Sequence, residues 1–281
     1  MDSDQDLGLF GPESVTWRVH AEAVLWLAGL RALYLQALHP RAVAGVVQNS
    51  DFRRDSWGRL MRTADYIGTV MFGTTEDALR AGVRIRRIHD GLRGRDLVTG
   101  EPFRVDDPEL LRWVHVTEVE SFVTTARRAG APVSAADVDA YYAEQLRAAE
   151  LVSLDPRIVP ASAVAVESYY RAMRPQLAAT DPARDVARFL LLPPMPRKLG
   201  WAGGRPAWVM IAGLGFALLP RWARRLYGMP GLPTTDAAAT LAVRALRSAL
   251  TAVPGKLEGP IYQDAMRRAE QAGYVQRRRA A

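Results

Sequence analysis

The chain of 281 residues contains no cysteine. That absence excludes disulfides, thiolate metal sites and iron–sulfur clusters, so a metal would have to be held by histidine, carboxylate or a prosthetic group. Lysine is nearly missing too: apart from Lys198 and Lys256, all of the 37 basic side chains are arginine. With abundant alanine, glycine and proline, this skew fits a GC-rich coding sequence as well as a binding surface. The net charge is +7, but the arginines spread along the chain and mix with acids. Phosphate binding needs a concentrated basic stripe, so no nucleic acid partner is expected.

Long apolar runs are also lacking. The most apolar stretch, Pro206 to Pro220, is shorter than the ~20 residues that a membrane-spanning helix requires. It is bracketed by Arg205 and by Arg221, Arg224 and Arg225. Its first reading is a buried core helix. Its second is a helix dipping into a membrane face, with Trp201, Trp208 and Trp222 at the flanks and peripheral membrane contact through residues 206–227. The start, Met1-Asp2-Ser3-Asp4-Gln5-Asp6, is acidic, whereas a secretory leader begins positive and then runs apolar, so a cytoplasmic, optionally membrane-associated, location is expected. No Gly-rich phosphate loop, Walker sequence, HExxH helix or nucleophile elbow occurs.

Period-two alternation is nearly absent and helical signals dominate, so the expected fold class is all-α. A first helix is predicted from Ser14 to Leu38, stopped by His39-Pro40, with apolar residues on more than one face and hence a central position. A short helix follows over residues 41–48, then one from Trp57 to Met71 closing at Gly73. The next opens with Thr74 or Thr75 as cap, places Glu76 and Asp77 at its positive end, and fades at Gly91. Asp107 caps the fifth, with Pro108 in its first turn, and this helix runs to Gly130. Ser134-Ala135-Ala136-Asp137 reads as a capping box launching a helix to about Leu151. Further helices are expected over residues 162–173, 182–192, 206–227 with a break at Pro220, 235–252 and 261–272. The run Leu192-Pro193-Pro194-Met195-Pro196 with Gly203-Gly204 is the one candidate hinge, read as a loop within a single domain. The expected organisation is an extended or disordered segment over residues 1–10, one helical domain over 11–275, and a basic tail over 276–281.

Chemistry has few places to sit. The four histidines, His20, His39, His89 and His115, all fall in the first half on or beside helices. His39 precedes Pro40 at a helix end, where an imidazole meets free carbonyls. His89 shares a helix face with Ala78, Gly82 and Ile85, a narrow surface that a flat ligand could approach. Arg84, Arg86 and Arg87 lie on the same helix, and Arg93 just beyond it. A haem has an apolar body and two propionates, which suits a histidine on an apolar face rimmed by arginines. Arg59, Arg62, Thr63, Tyr66, Ile67 and Val70 recur at helical spacing on another face, where buried arginines would need an anion or a bound ligand. His115 and Glu118 stand one turn apart and could share a metal. Di-iron helical bundles, however, use paired Glu-x-x-His units with further inward glutamates, and here the order is reversed and unpaired.

Several ordered segments resemble the rubber oxygenase (latex-clearing protein) and mpaB-type oxygenase catalytic-domain family, formerly a domain of unknown function. They are Gly11-Pro12 through Trp17-Arg18-Val19-His20, then Leu38-His39-Pro40 with Ala44-Gly45-Val46, then Gly58-Arg59-Leu60-Met61-Arg62-Thr63. The likeness continues in Val83-Arg84 leading to Ile88-His89, in Trp113-Val114-His115, in Phe189 to Pro194 and in Leu219-Pro220-Arg221-Trp222. It covers most of the chain, from about residue 10 to about residue 230. The resemblance implies a globin-like helical core enclosing haem b, acting with dioxygen on a hydrophobic, prenyl-like small molecule. It implies His89 as the axial iron ligand, the family's Arg-x-x-Lys-Thr element at Arg59, Arg62 and Thr63, and Thr117 as the threonine near the haem. From position alone, Arg84, Arg87 or Arg93 is expected to pair with the propionates.

One departure is chemical. Arg62 stands where the rubber enzyme has its distal lysine, and a permanently protonated guanidinium does not coordinate iron. The sixth position is then open, water-bound or filled by another group, and an arginine there could instead donate hydrogen bonds to a bound ligand. Two other function classes remain at this point: a non-catalytic haem carrier or sensor, and a membrane-surface helical protein without haem. A homodimer is compatible with all three.

Overall fold

Local capping chemistry sets most of the helix ends. In the computed structural model, which describes residues 6–50, 54–194, 204–252 and 259–274, the fold is all-α with one small hairpin. The elements are α1 (Val15–His20), α2 (Leu25–Gln36), α3 (Pro40–Asn49), α4 (Ser56–Phe72), α5 (Thr75–Asp90), β1 (Arg93–Arg95), β2 (Pro102–Arg104) and α6 (Pro108–Arg128). They continue with α7 (Ala135–Glu144), α8 (Leu146–Leu151), α9 (Ala163–Met173), α10 (Asp181–Leu191), α11 (Gly204–Ala217), α12 (Arg221–Leu226), α13 (Pro233–Thr251) and α14 (Pro260–Gln271). Thr74 caps α5 by accepting from the Asp77 amide, and Asp107 caps α6 by accepting from the Glu109 and Leu110 amides. The Ser134–Asp137 capping box forms in full. Each such cap satisfies amides that the first turn leaves free.

Two expected continuous helices are broken, and neither break has a proline or glycine. The segment predicted over 14–38 divides into α1 and α2 at residues 21–24. There Glu22 turns out to receive the Arg247 guanidinium at 2.6 and 2.9 Å, from far along the chain. The segment predicted to run to Leu151 divides at Gln145, which is buried and donates to Thr16 Oγ1 at 3.0 Å. Tertiary bonds decide both breaks.

α2 is the central helix, burying Leu27, Ala28, Leu30, Arg31, Ala32, Tyr34 and Leu35, and its most extensive packing is along α6. Trp113, Val116, Val119, Phe122 and Val123 of α6 complete that core with Tyr141, Tyr170 and Leu219. Within it Arg31 is fully enclosed and meets Glu120 at 2.6 and 2.9 Å, Ser121 Oγ at 2.6 Å and the Leu218 carbonyl at 3.0 Å. The stretch read as a core helix becomes α11 and α12, split at Pro220 as expected. Only one side of α11 is buried: Gly215 packs so closely on Leu30 that a β-carbon would lie 3.2 Å from it, while Met210 stays exposed. Among the described residues no helix is long and apolar enough to cross a membrane.

The α4–α5 hairpin forms a separate wall. α4 packs on α5, α1 and α14, and α5 packs on α8, but neither is among the helices closely packed on α6. Gly82 lets α5 approach α8: a β-carbon there would sit 2.9 Å from the Leu151 carbonyl oxygen. Of the segment expected to be extended or disordered, residues 6–10 are described and folded. Asp6 accepts from the Thr75 amide and hydroxyl at 2.8 Å, and Leu7, Leu9 and Phe10 pack beside Phe72 and Trp17. The basic tail and most of the candidate hinge lie outside the described residues.

Candidate functional site

His89 occupies the last turn of α5, on the inner face with Ala78, Gly82 and Ile85. Its imidazole is half-buried and makes no hydrogen bond with another described residue. Burial holds its pKa below the ordinary histidine value, against a smaller opposing pull from Asp106, so the ring is neutral at pH 7 with a lone pair free to bind.

The arginines of α5 do not all rim that face. Arg84 and Arg87 line a groove on the opposite, outer side with Glu76, Leu79, Arg80, Val83 and Ile88. At 100° per residue, positions 84 and 87 fall away from positions 85 and 89. Arg86 is the arginine that turns inward, donating to the Leu151 carbonyl at 2.6 Å. Arg93, past the helix end, is exposed and bonds the Asp90 and Leu92 carbonyls at 2.6 and 2.9 Å.

On α4 the expected inward stripe is graded. Val70 is buried; Tyr66, Ile67 and Arg59 are half-buried; Arg62 and Thr63 are exposed. The Arg59 guanidinium rests on the Ser50 hydroxyl, and its pKa is lowered by burial and by neighbouring Arg62. Arg62 pairs with Asp55 at 2.9 Å, and the Thr63 hydroxyl donates to the Arg59 carbonyl at 3.0 Å. A buried anion is therefore not required to explain Arg62. Thr117 is fully buried in α6, with its hydroxyl given back to the Trp113 and Val114 carbonyls at 2.8 and 3.0 Å.

α4 comes near α6 at Tyr66 and Glu118 without close helix packing, and we read the space between them as a slot. Three polar side chains mark it: Tyr66 of α4, and His115 and Glu118 of α6. Each keeps some accessible surface, while burial dominates its titration. Burial drives His115 down to about 4 and Glu118 up to about 7, and it raises Tyr66, helped by the nearby Glu118 carboxylate. None of the three hydrogen-bonds another described residue. Ile67 of α4, Ile85 of α5 and Val114 of α6 are half-buried apolar residues on the same three helices. A neutral imidazole, an acid titrating near neutrality and a phenol can each exchange hydrogen bonds or protons with a bound molecule.

In the sequence His115 and Glu118 stand out only as a weak metal pair, and Arg86 only as one of the arginines on the His89 helix. The signal that would have found Glu118 is its place in the stripe Leu111, His115, Glu118, Phe122, whose ends are buried. Among the described residues there is no group of three or more histidines and carboxylates placed to hold a metal ion.

In comparisons with known proteins, the family model described as "ER-bound oxygenase mpaB/B'/Rubber oxygenase, catalytic domain" matches residues 17–252. No curated protein and no solved structure matches at a significant level.

Proposed function

Since the chain belongs to the mpaB and rubber-oxygenase catalytic-domain family, we propose that it is a haem b-dependent oxygenase acting on a hydrophobic, prenyl-like small molecule, with His89 as iron ligand. The observation that carries the reading is the free, neutral imidazole of His89 on the inner face of a helix held apart from α6. The residues fit the group. A single unpaired imidazole suffices where a porphyrin supplies the other ligands, and the apolar walls suit the macrocycle.

When bound, haem b supplies the iron that activates dioxygen. The chain supplies the rest. His89 anchors the group, and its low pKa keeps the ring unprotonated at neutral pH. Ile67, Ile85 and Val114 exclude water and receive the apolar body of the substrate. Arg86 and Arg93 are the cations that flank His89 without facing the outer groove, and they replace Arg84 and Arg87 as the favoured partners for propionates. Arg59, Arg62 and Thr63 continue the Tyr66 face of α4 by one and two turns, where they bound the other side of the ligand. Arg62, being a guanidinium, acts through hydrogen bonds rather than by binding metal.

The test is the visible spectrum of the full chain after haem reconstitution, with oxygen uptake measured on an apolar prenyl substrate. A Soret band that His89→Ala abolishes, with far-UV circular dichroism unchanged, is expected. Oxygen uptake then separates an oxygenase from a haem carrier. A colourless reconstituted protein overturns the proposal.

A further inference from the structure

The turn between α4 and α5 joins two helix ends with opposite requirements. α4 stops at Phe72 with carbonyls that no helical amide reaches, and α5 starts at Thr75 with amides that no helical carbonyl reaches. The helix dipoles place a negative pole at the first and a positive pole at the second. Both ends are answered from outside the hairpin. The Asp6 carboxylate accepts from the Thr75 amide and hydroxyl, each at 2.8 Å. Arg268 of α14 donates to the Phe72 carbonyl at 2.5 Å and to the Asp6 carbonyl at 3.2 Å, so the two segments hold each other as well as the turn. Burial pushes the Asp6 carboxyl up, but the donors from Gly8 and Thr75 and the Arg268 charge outweigh it and keep it below the ordinary carboxylate value. Leu7, Leu9 and Phe10, with Tyr262 and Met266 of α14, add apolar contact to the cluster of Val70, Met71 and Phe72, and the Phe72 and Tyr262 rings lie 5.0 Å apart. Gly8 has φ +80°, and a β-carbon there would run into the Gly73 carbonyl oxygen.

This fastening sits at one end of a wall that is otherwise lightly held. Outside the hairpin, α4 packs mostly on α14 and less on α1, and α5 packs on α8. The α8 contact centres on the Leu151 carbonyl, which receives Arg86 at 2.6 Å and lies against Gly82. The far end has its own attachment. Trp57, in the first turn of α4, stacks edge-on against Trp208 of α11 with ring centres 4.8 Å apart. The hairpin thus has a fastening at its turn and a pivot at the opposite end. The family match, residues 17–252, contains the hairpin and the pivot but neither Asp6 nor α14.

We propose that the Asp6 segment and α14 form a latch over the α4–α5 turn, and that its release swings the hairpin away from the core as one unit about its Trp57 end. The motion uncovers the inner face of α5 on which His89 lies. The latch belongs to segments outside the matched domain, so this chain controls access to that face with parts the domain itself does not supply.

Hydrogen exchange of the full chain, read by mass spectrometry, tests this, because exchange of a protected amide reports the population of its open state. In Asp6→Ala/Arg268→Met, amides of residues 66–72 and 76–82 should exchange about tenfold faster, by one common factor, while those of α2 and α6 stay within about twofold. Gly8→Ala, which lifts the segment off the turn without removing a charge, should speed the same amides about threefold and preserves the test if the double variant does not fold. A change confined to residues 72–75 makes the contacts mere helix caps and overturns the latch. An equal change in α2 and α6 makes the hairpin part of the global unit and overturns it too, as does unchanged exchange throughout.

Discussion

Replacing Glu120 by leucine tests the load carried by the core that backs the slot. Glu120 joins α6 to α2 through Arg31, whose side chain is 2% exposed against 12% for the carboxylate. The pair makes two bonds, at 2.6 and 2.9 Å. In Glu120→Leu the guanidinium keeps only neutral partners, Ser121 Oγ and the Leu218 carbonyl, and cannot lose its proton. Breaking a buried pair from one side costs about 3–5 kcal/mol. For a domain of this size that corresponds to a melting point lower by roughly 6–20 °C, at about 2–4 °C per kcal/mol. The reverse change, Arg31→Met, should cost less. The stranded carboxylate keeps hydroxyl donors at Tyr170, 3.1 Å away, and Thr124, 2.8 Å away, and sits nearer to solvent. The double variant should cost less than the two singles together, because it strands no charge. Urea unfolding of the four proteins measures all three quantities. A loss under about 1 kcal/mol for Glu120→Leu, or simple additivity in the double variant, would refute the argument for a buried ion pair.

Glu118 has a folded pKa of about 7, raised by burial, so it favours the native state while protonated. That contribution is complete below the ordinary carboxylate range and is lost as pH rises through about 7. Glu118→Gln should therefore raise the melting temperature at pH 8 more than at pH 5, and an equal shift at both would contradict it. His115 has the opposite sign: its folded pKa of about 4 protects the native state above the ordinary histidine value, and protection fails as pH falls through about 4. In acid titrations followed by circular dichroism, His115→Gln should unfold at lower pH than the parent chain. Gly82→Ala should destabilise by about 1–3 kcal/mol through overpacking against the α8 backbone, whereas Gly91→Ala, with no neighbour nearer than 3.9 Å, should cost under about 1 kcal/mol.

The elements that sequence reasoning placed well are those with local instructions. Thr74 with Asp77, Asp107 with Pro108, the Ser134 box and the stop at Pro220 all act within four residues, so their outcome is readable from a short window. The breaks at residues 21–24 and at Gln145 were not readable. Each is imposed by a partner more than a hundred residues away, Arg247 in one case and Thr16 in the other. The site divides the same way. Periodicity put His89 on a face with Ala78, Gly82 and Ile85, and the structure places that face inward. Periodicity also joined Arg62 and Thr63 to Val70, yet of these only Val70 is covered, because α4 joins a buried cluster only from Tyr66 onward.

By itself, then, the order of residues determined the helical class, most helix ends and the helix face that His89 shares with Ala78, Gly82 and Ile85, since caps and amphipathic spacing are short-range physics. Only the tertiary structure decided that α4 and α5 stand off from α6, that Arg86 meets the Leu151 carbonyl, and that Glu118 is driven toward neutrality. A gap between helices belongs to no single segment. It arises from which surfaces pack and which do not, and the desolvation that retunes a carboxyl within it is the sum of many distant atoms.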